Sequence, residues 1–187
     1  MNFYVLLGIG ALIFMGKNEA KAVVIRLSEN WDKFDHLFVK YGAQYQVPWT
    51  HLKAIALNES SLGMAKSVAR GLVAPSDVEG SKSSDGKSWG LMQLTLPTAQ
   101  GFDRSATPEK LNNPEYSVKL AAQLLAQLRD TFSMFDGRYL EWVIKSYNQG
   151  PYHTKNEMKG QISNPSWHLH VEEYWNRFQR NLKKVGG

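Results

Sequence analysis

Glu59 is the residue of this sequence whose type and position most strongly indicate chemistry. It follows an apolar series at helical spacing, in which Leu52, Ile55 and Ala56 occupy positions i, i+3 and i+4. Glu59 takes position i+7, so a helix that begins near Pro48 would direct it toward the same apolar face. Burial raises the pKa of a carboxyl group, and a carboxyl that keeps its proton near neutrality can act as a general acid. We interpret Glu59 as a candidate general acid; a structural ion pair or a place at the rim of the core is the alternative.

Two further segments combine apolar residues with groups suited to binding a polar ligand. Residues 88–94 read Ser-Trp-Gly-Leu-Met-Gln-Leu, and residues 146–151 read Ser-Tyr-Asn-Gln-Gly-Pro. Both interrupt an apolar run with amide, hydroxyl and glycine groups. The alternative is that Gln93 and Asn148 serve only in helix capping and in turns.

Together the three segments resemble, in the same order along the chain, the core motifs of bacterial and phage lytic transglycosylases. The matching stretches are 54–61 (Ala-Ile-Ala-Leu-Asn-Glu-Ser-Ser), 90–94 (Gly-Leu-Met-Gln-Leu) and 147–151 (Tyr-Asn-Gln-Gly-Pro). The resemblance extends over about residues 30–180. It implies a mainly α, lysozyme-like single domain, shared with goose-type lysozymes, in which a long loop flanks the active-site cleft.

The resemblance also implies a role for each matching residue. Glu59 would be the catalytic acid and base. The substrate-binding residues would be Ser60, Gly90, Leu91, Met92, Gln93, Tyr147, Asn148 and Tyr174. Among these, Ser60 would help to hold the site, and Asn148 would hold a sugar substituent with Tyr147 packed beneath. Tyr174 matches the tyrosine of a fourth motif, although His170 stands four positions earlier, where the family usually has a Glu.

The reaction that the resemblance implies is cleavage of the β-1,4 bond between N-acetylmuramic acid and N-acetylglucosamine in peptidoglycan. Glu59 would protonate the leaving oxygen as positive charge develops on the sugar ring. Once ionised, it would take the proton of the substrate's own 6-hydroxyl, which attacks C1 and leaves a 1,6-anhydromuramoyl end. This route needs neither a second carboxylate nor a cofactor.

Two alternatives stay open from the sequence. A goose-type lysozyme would hydrolyse the same bond with a water held by a loop carboxylate such as Asp77, Glu79 or Asp85. A catalytically inactive wall-binding component would keep the fold without turnover. Metal-dependent chemistry is less favoured, because the chain has no cysteine and no His-Glu-x-x-His pattern. We therefore expect no metal and no cofactor.

Helical periodicity predicts the elements that must position these residues. Aromatic residues at helical spacing predict a first helix over about 30–45, with Ser28 or Asn30 as its N-cap. Pro48 begins the next helix, and Gly63 ends it.

The second half of the chain contains further predicted helices. They are a short helix at 97–100, a long helix that begins at Asn113-Pro114-Glu115 and carries an apolar stripe from Val118 to Phe132, a helix with its stripe from Leu140 to Tyr147, and a last helix with its stripe from Val171 to Leu182. Residues 65–87 lack periodicity and are rich in turn residues, which predicts a lid or a cleft wall. No segment alternates long enough to predict a strand.

Composition limits the partners. With 187 residues and no cysteine, the chain suits one domain without disulfides. Its net charge of +5 favours a polyanionic partner such as an acidic wall polymer. Arg177, Arg180 and Lys184 lie close to one face of the last helix, and we interpret them as a solvated face rather than a nucleic-acid stripe. We expect peptidoglycan as the partner, no nucleic acid, and a monomer.

The N-terminus differs from the rest of the chain. Residues 3–15 are apolar and uncharged, shorter than the about 20 residues of a membrane-spanning helix but typical of a signal-peptide core. We therefore expect 1–22 to be a signal or anchor segment, with possible membrane contact through 3–15, and 23–187 to be the catalytic domain. The expected location is the periplasm or cell envelope, or a virion if the protein is phage-encoded.

Overall fold

The computed structural model describes residues 4–5, 13–14, 31–63, 87–134, 137–162 and 164–186. The helices are α1 (Asp35–Tyr45), α2 (Trp49–Ser60), α3 (Leu96–Gln100), α4 (Pro108–Leu111), α5 (Pro114–Phe132), α6 (Tyr139–Gln149), α7 (Pro151–Met158) and α8 (Pro165–Gly186). The strands are β1 (Tyr4–Val5), β2 (Ile13–Phe14), β3 (Ser88–Trp89) and β4 (Leu94–Thr95). The mainly α prediction is therefore confirmed.

The helix boundaries differ from the sequence predictions at several ends. α1 begins at Asp35 rather than near residue 30, because residues 31–34 form turns and the Asp35 amide bonds the Asp32 carbonyl at 3.2 Å. The predicted caps Ser28 and Asn30 lie outside the described residues. α2 ends at Ser60, before Gly63, and α8 begins at Pro165, one and a half turns before its buried stripe.

Two short helices were not predicted. α4 has too few residues to show a period, and α7 has no apolar face, since Thr154 is its single buried residue. α4 begins at Pro108, with Thr107 as N-cap accepting from the Lys110 amide at 3.3 Å. α7 begins at Pro151 directly after Gly150, whose φ of 85° breaks the path from α6. The cap-proline-acid pattern that predicted the start of α5 recurs at 107–109 and could have predicted α4.

The chain divides into two compact units, whose boundaries fall inside α1, α2 and α5. Met1–His36 and Ala56–Ser117 form the first unit. Its hairpin pairs β3 with β4 antiparallel, Ser88 opposite Thr95 and Trp89 opposite Leu94. The hairpin turn, α3 and α4 contribute fully or nearly fully buried apolar side chains, namely those of Leu91, Met92, Leu94, Ala99 and Leu111.

A polar cluster joins the α3–α4 loop to α5 within this unit. Asp103 accepts hydrogen bonds from the Ser105 hydroxyl at 2.7 Å, from the Tyr116 hydroxyl at 2.8 Å and from the Ser105 amide at 2.9 Å. These bonds, the Ser105 hydroxyl first, lower the pKa of Asp103 to about 2. Burial, followed by the bond to Asp103, raises the pKa of Tyr116 to about 12.

Leu37–Ile55 and Val118–Gly187 form the second unit. Here α6 packs against α7 and α8, and Phe178 of α8 meets the His51 ring edge-on, with ring centroids 5.7 Å apart. Arg129 of α5 donates from Nη1 to the carbonyls of Tyr45 and Gln46, at 3.3 and 2.6 Å. The Arg129 guanidinium thus contacts the C-terminal end of α1, where helix carbonyls lack intrahelical partners.

Of the predicted signal or anchor segment, the structure describes only β1 and β2, which pair antiparallel with Tyr4 opposite Phe14. Across the described ranges, none of the helices combines the length and the apolar character that crossing a membrane requires. The assignment of 1–22 and of the domain 23–187 stays a prediction.

Candidate active site

Glu59 lies on the last turn of α2, at the end of the apolar face that its spacing predicts. Leu52, Ile55 and Ala56 of this face are each 0 % exposed. Glu59 itself is partly buried. Its side chain therefore lies at the border between the core and the solvent, where a carboxylate can reach a substrate.

The chain leaves α2 through a run of left-handed residues directly after Glu59. Ser61, Leu62 and Gly63 have φ values of 52°, 58° and 83°. This conformation costs a residue with a side chain about 1–2 kcal/mol. The Leu62 amide bonds the Ala56 carbonyl at 3.2 Å, and the Ser61 amide bonds that of Leu57 at 3.3 Å. Backbone strain of this kind is concentrated at functional sites, where surrounding contacts hold it in place.

Ser60 connects the end of α2 to the hairpin turn. Its buried hydroxyl donates to the Leu91 carbonyl at 2.7 Å and lies 3.2 Å from the Ala56 carbonyl. The same oxygen accepts a hydrogen bond from the Gly63 amide at 2.9 Å. Ser60 thus holds two segments against the helix that carries Glu59. They are the left-handed residues 61–63 and the turn 90–93.

The turn from Gly90 to Gln93 is closed by its own polar groups. The Gln93 amide and its Nε2 donate to the Gly90 carbonyl, at 3.2 and 2.8 Å. The Met92 amide donates to the Ser117 hydroxyl at 3.2 Å. The Gln93 side chain thus helps to close this turn, and its role in binding substrate stays a prediction.

Gly90 cannot be exchanged for a residue with a side chain without moving the backbone. Its φ is 74°, and a Cβ atom there would lie 1.9 Å from the Leu111 carbonyl oxygen and 2.9 Å from its carbon. The turn therefore packs directly on the end of α4. Glycine is required because it permits this close approach as well as the positive φ.

Three of the predicted site residues belong to the second unit. Tyr147 and Asn148 lie on the last turn of α6, where Tyr147 is partly buried and Asn148 is exposed. Tyr174 of α8 is 2 % exposed, and the Arg177 guanidinium lies 5.7 Å from its ring centroid. The loop carboxylates Asp77, Glu79 and Asp85, like the rest of the predicted lid up to residue 86, fall outside the described residues.

Comparison with known families gives one match over most of the chain, in which the transglycosylase SLT domain aligns with residues 36–169. The chain belongs to this family. The SLT match includes Glu59, Ser60, residues 90–93, Tyr147 and Asn148, and ends before Tyr174. No curated protein matches the chain.

Membership confirms the lysozyme-like, mainly α fold and supports a peptidoglycan-degrading function of the lytic transglycosylase type. Peptidoglycan is the substrate of SLT domains. Membership therefore implies a location at the cell envelope, in the periplasm or in a virion.

The second unit also contains a polar cluster that the sequence did not predict. Lys145 of α6 is 1 % exposed, and its Nζ pairs with Glu141 at 2.8 Å, with Glu157 of α7 at 2.7 Å and with Glu172 of α8. We call these four residues the lysine cluster. The i,i+4 spacing of Glu141 and Lys145 is visible in the sequence, whereas the contacts to α7 and α8 are tertiary.

The lysine cluster is a charged network with low exposure at its centre. Burial lowers the pKa of Lys145, but hydrogen bonds from Nζ to Glu141, Glu157 and Glu172 outweigh that effect, so the pKa is raised overall. The ammonium stays charged at any physiological pH. Gln149 extends the network, because its Nε2 donates to Glu157 Oε2 at 2.7 Å and to the Thr154 hydroxyl at 3.1 Å.

Two glutamates of this cluster, Glu157 and Glu172, have the composition of a metal site together with His168 of α8. One potential ligand atom from each of Glu157, His168 and Glu172 lies within 4.8 Å of the others. However, Lys145 Nζ already pairs with the Oε1 atoms of both glutamates. A divalent ion would compete with this ammonium for the same oxygens and would be repelled by it.

Proposed function

We propose that the protein is a lytic transglycosylase that cleaves the β-1,4 bond between N-acetylmuramic acid and N-acetylglucosamine and forms 1,6-anhydromuramoyl ends. The observation that carries the proposal is the position of Glu59 at the border of the core, on a helix end that Ser60 ties to the turn 90–93. A proton donor must keep a set position relative to the scissile oxygen, and this connection supports such a position.

Glu59 serves first as the acid and then as the base. It protonates the glycosidic oxygen while the muramoyl ring becomes oxocarbenium-like, and the carboxylate then accepts the proton of the 6-hydroxyl as that oxygen bonds to C1. Glu59 therefore regains the proton that it gave to the leaving oxygen, and no water is consumed. Glu59 is the only acidic residue in the three motif segments 54–61, 90–94 and 147–151, which supports a route with a single carboxylate.

Substrate contacts are assigned from the family motifs. Asn148 holds a sugar substituent and Tyr147 packs beneath it, while Leu91 and Met92 form the apolar base of the turn beside Glu59's helix. Tyr174 completes the assignment as a hydrogen-bonding residue.

We extend the proposal to the remaining expectations: 1–22 as a signal or anchor segment, 23–187 as the catalytic domain, and a monomer.

The test is digestion of purified peptidoglycan by the wild type, by Glu59→Gln and by Glu173→Gln. Glu173 is an exposed residue of α8, so its variant controls for the loss of one carboxylate. We expect Glu59→Gln to lose wall clearing while keeping its circular dichroism spectrum and melting temperature, and Glu173→Gln to behave as the wild type.

Mass spectrometry of the released muropeptides identifies the reaction. Anhydro ends are lighter than reducing ends by one water molecule, and we expect only the anhydro form. Reducing ends would replace the proposal with the goose-type hydrolase. Wall clearing by Glu59→Gln at the wild-type rate would refute the role of Glu59, and a folded wild type that binds walls without any turnover would identify an inactive wall-binding component.

A further inference from the structure

A pocket lies at the junction of α6, α7 and α8, within the second unit. It is an open depression with a cavity volume of about 30 Å³, so a ligand of several atoms would lie against its surface rather than be enclosed by it. Its lining includes four carboxamide side chains, one carboxylate, two imidazoles and one indole. The residues that carry the inference are Gln149, Asn156, Glu157, Gln161, Trp167 and His168.

Two of the lining residues, Glu157 and Gln149, are held in place by hydrogen bonds to the lysine cluster and its neighbours. Glu157 uses Oε1 for Lys145 and Oε2 for Gln149, at 2.7 Å each. Gln149 Nε2 also bonds the Thr154 hydroxyl, which leaves the Gln149 amide oxygen as an acceptor. Preorganised polar groups of this kind lower the entropic cost of binding a ligand.

The rim of the pocket presents an aromatic surface. Trp167, near the start of α8, is 47 % exposed, and its backbone amide is held by Asn164 Oδ1 at 3.0 Å. An exposed indole offers a broad apolar face together with an N–H donor. Gln161, before α8, and Asn156, on α7, add amide donors and acceptors beside it.

The charges of the lining decide among ligand classes. Within the described residues no Lys or Arg lines the pocket, and the nearby Lys145 is paired with three glutamates, so a phosphate or another anion would face the Glu157 carboxylate without a matching cation. A divalent ion would meet the ammonium of Lys145. A neutral ligand with one apolar face and a rim of hydroxyl and amide groups fits, and this is the chemistry of an N-acetylhexosamine ring.

We propose that this pocket is an accessory saccharide subsite that binds an N-acetylhexosamine unit of the glycan through Trp167 and the surrounding carboxamides. The identity of the sugar rests on the proposed function, since an enzyme that acts on peptidoglycan meets a polymer of N-acetylated hexoses. Such a subsite would raise the affinity for long strands by adding a second contact to the same chain.

The experiment measures binding without turnover. Tetra-N-acetylchitotetraose is titrated by isothermal calorimetry into the full-length Glu59→Gln protein, and into the same protein with Trp167→Ala or with Gln161→Ala. Tyr139→Ala is the matched control, because Tyr139 is 44 % exposed at the start of α6 and does not line the pocket. Melting temperatures of all variants verify folding.

We expect Trp167→Ala to weaken binding about tenfold, Gln161→Ala to weaken it less, Trp167→Phe to restore part of it, and Tyr139→Ala to leave it unchanged. Equal affinities in Trp167→Ala and Tyr139→Ala would refute the subsite. Binding of Zn²⁺ that His168→Ala abolishes, without saccharide binding, would refute it in favour of a cation site. Wall digestion by the otherwise unchanged protein tests the proposed function separately, because saccharide binding through Trp167 does not require an active Glu59.

Discussion

Replacement of Ser60 by alanine tests whether the connection between α2 and the turn 90–93 positions Glu59. The substitution removes only a hydroxyl, which donates to the Leu91 carbonyl at 2.7 Å and accepts from the Gly63 amide at 2.9 Å. Ser60 is 2 % exposed, so water cannot easily replace either bond. The variant therefore leaves two backbone groups of the site without their partner.

The size of the effect follows from these two groups. A buried polar group left without a partner costs about 1–3 kcal/mol, while the better helix propensity of alanine returns about 0.5 kcal/mol. We expect the free energy of unfolding to fall by about 1.5–5.5 kcal/mol and the melting temperature by about 3–22 °C. Because Glu59 is adjacent, a displacement of about 1 Å would lower kcat by 10- to 100-fold.

The assay combines urea unfolding with muropeptide release at a temperature where both proteins are folded. Ser133→Ala is the control, because the exposed Ser133 hydroxyl also donates to a nearby backbone carbonyl, that of Asp130 at 3.3 Å. The positioning role predicts a loss of kcat with little change in KM. A Ser60→Ala protein with the stability and kcat of the Ser133→Ala control would refute the reasoning.

Two further predictions concern the first unit. Gly90→Ala places a Cβ atom 1.9 Å from the Leu111 carbonyl oxygen at a φ of 74°, so we expect it to lower the free energy of unfolding by more than about 3 kcal/mol. Gly137→Ala, whose added Cβ would meet nothing within 4 Å, should have wild-type stability in the same urea titration. Equal unfolding midpoints for Gly90→Ala and Gly137→Ala would contradict the close approach of Gly90 to Leu111. Asp103 has a pKa of about 2 against an ordinary 3.8, so its contribution to stability is present above about pH 4 and is lost as the pH falls toward 2. The melting temperature of the wild type should exceed that of Asp103→Asn at pH 6, and the two values should converge by pH 2. A difference that stays constant with pH would show that ionisation of Asp103 does not cause it.

Local patterns in the sequence were sufficient for the helices with long apolar stripes and for the face on which Glu59 lies. Helical spacing depends on neighbours within two turns, so Leu52, Ile55 and Ala56 could be placed in the core before any tertiary contact was known. The short α4 could not be predicted from periodicity, because four residues cannot display a period. The lysine cluster could not be predicted from local patterns, because its residues lie on three different helices.

The sequence by itself determined the fold class and the resemblance of three motifs, because apolar periodicity and motif order are properties of residues close together along the chain. Only the tertiary structure decided how the motifs are held. The bond from Ser60 to Leu91 joins residues 31 positions apart, and the need for glycine at position 90 in the hairpin turn arises from Leu111 at the end of α4. Contacts between distant residues depend on how the backbone packs. That packing brings the Ser60 hydroxyl to the Leu91 carbonyl and leaves no room for a side chain at position 90.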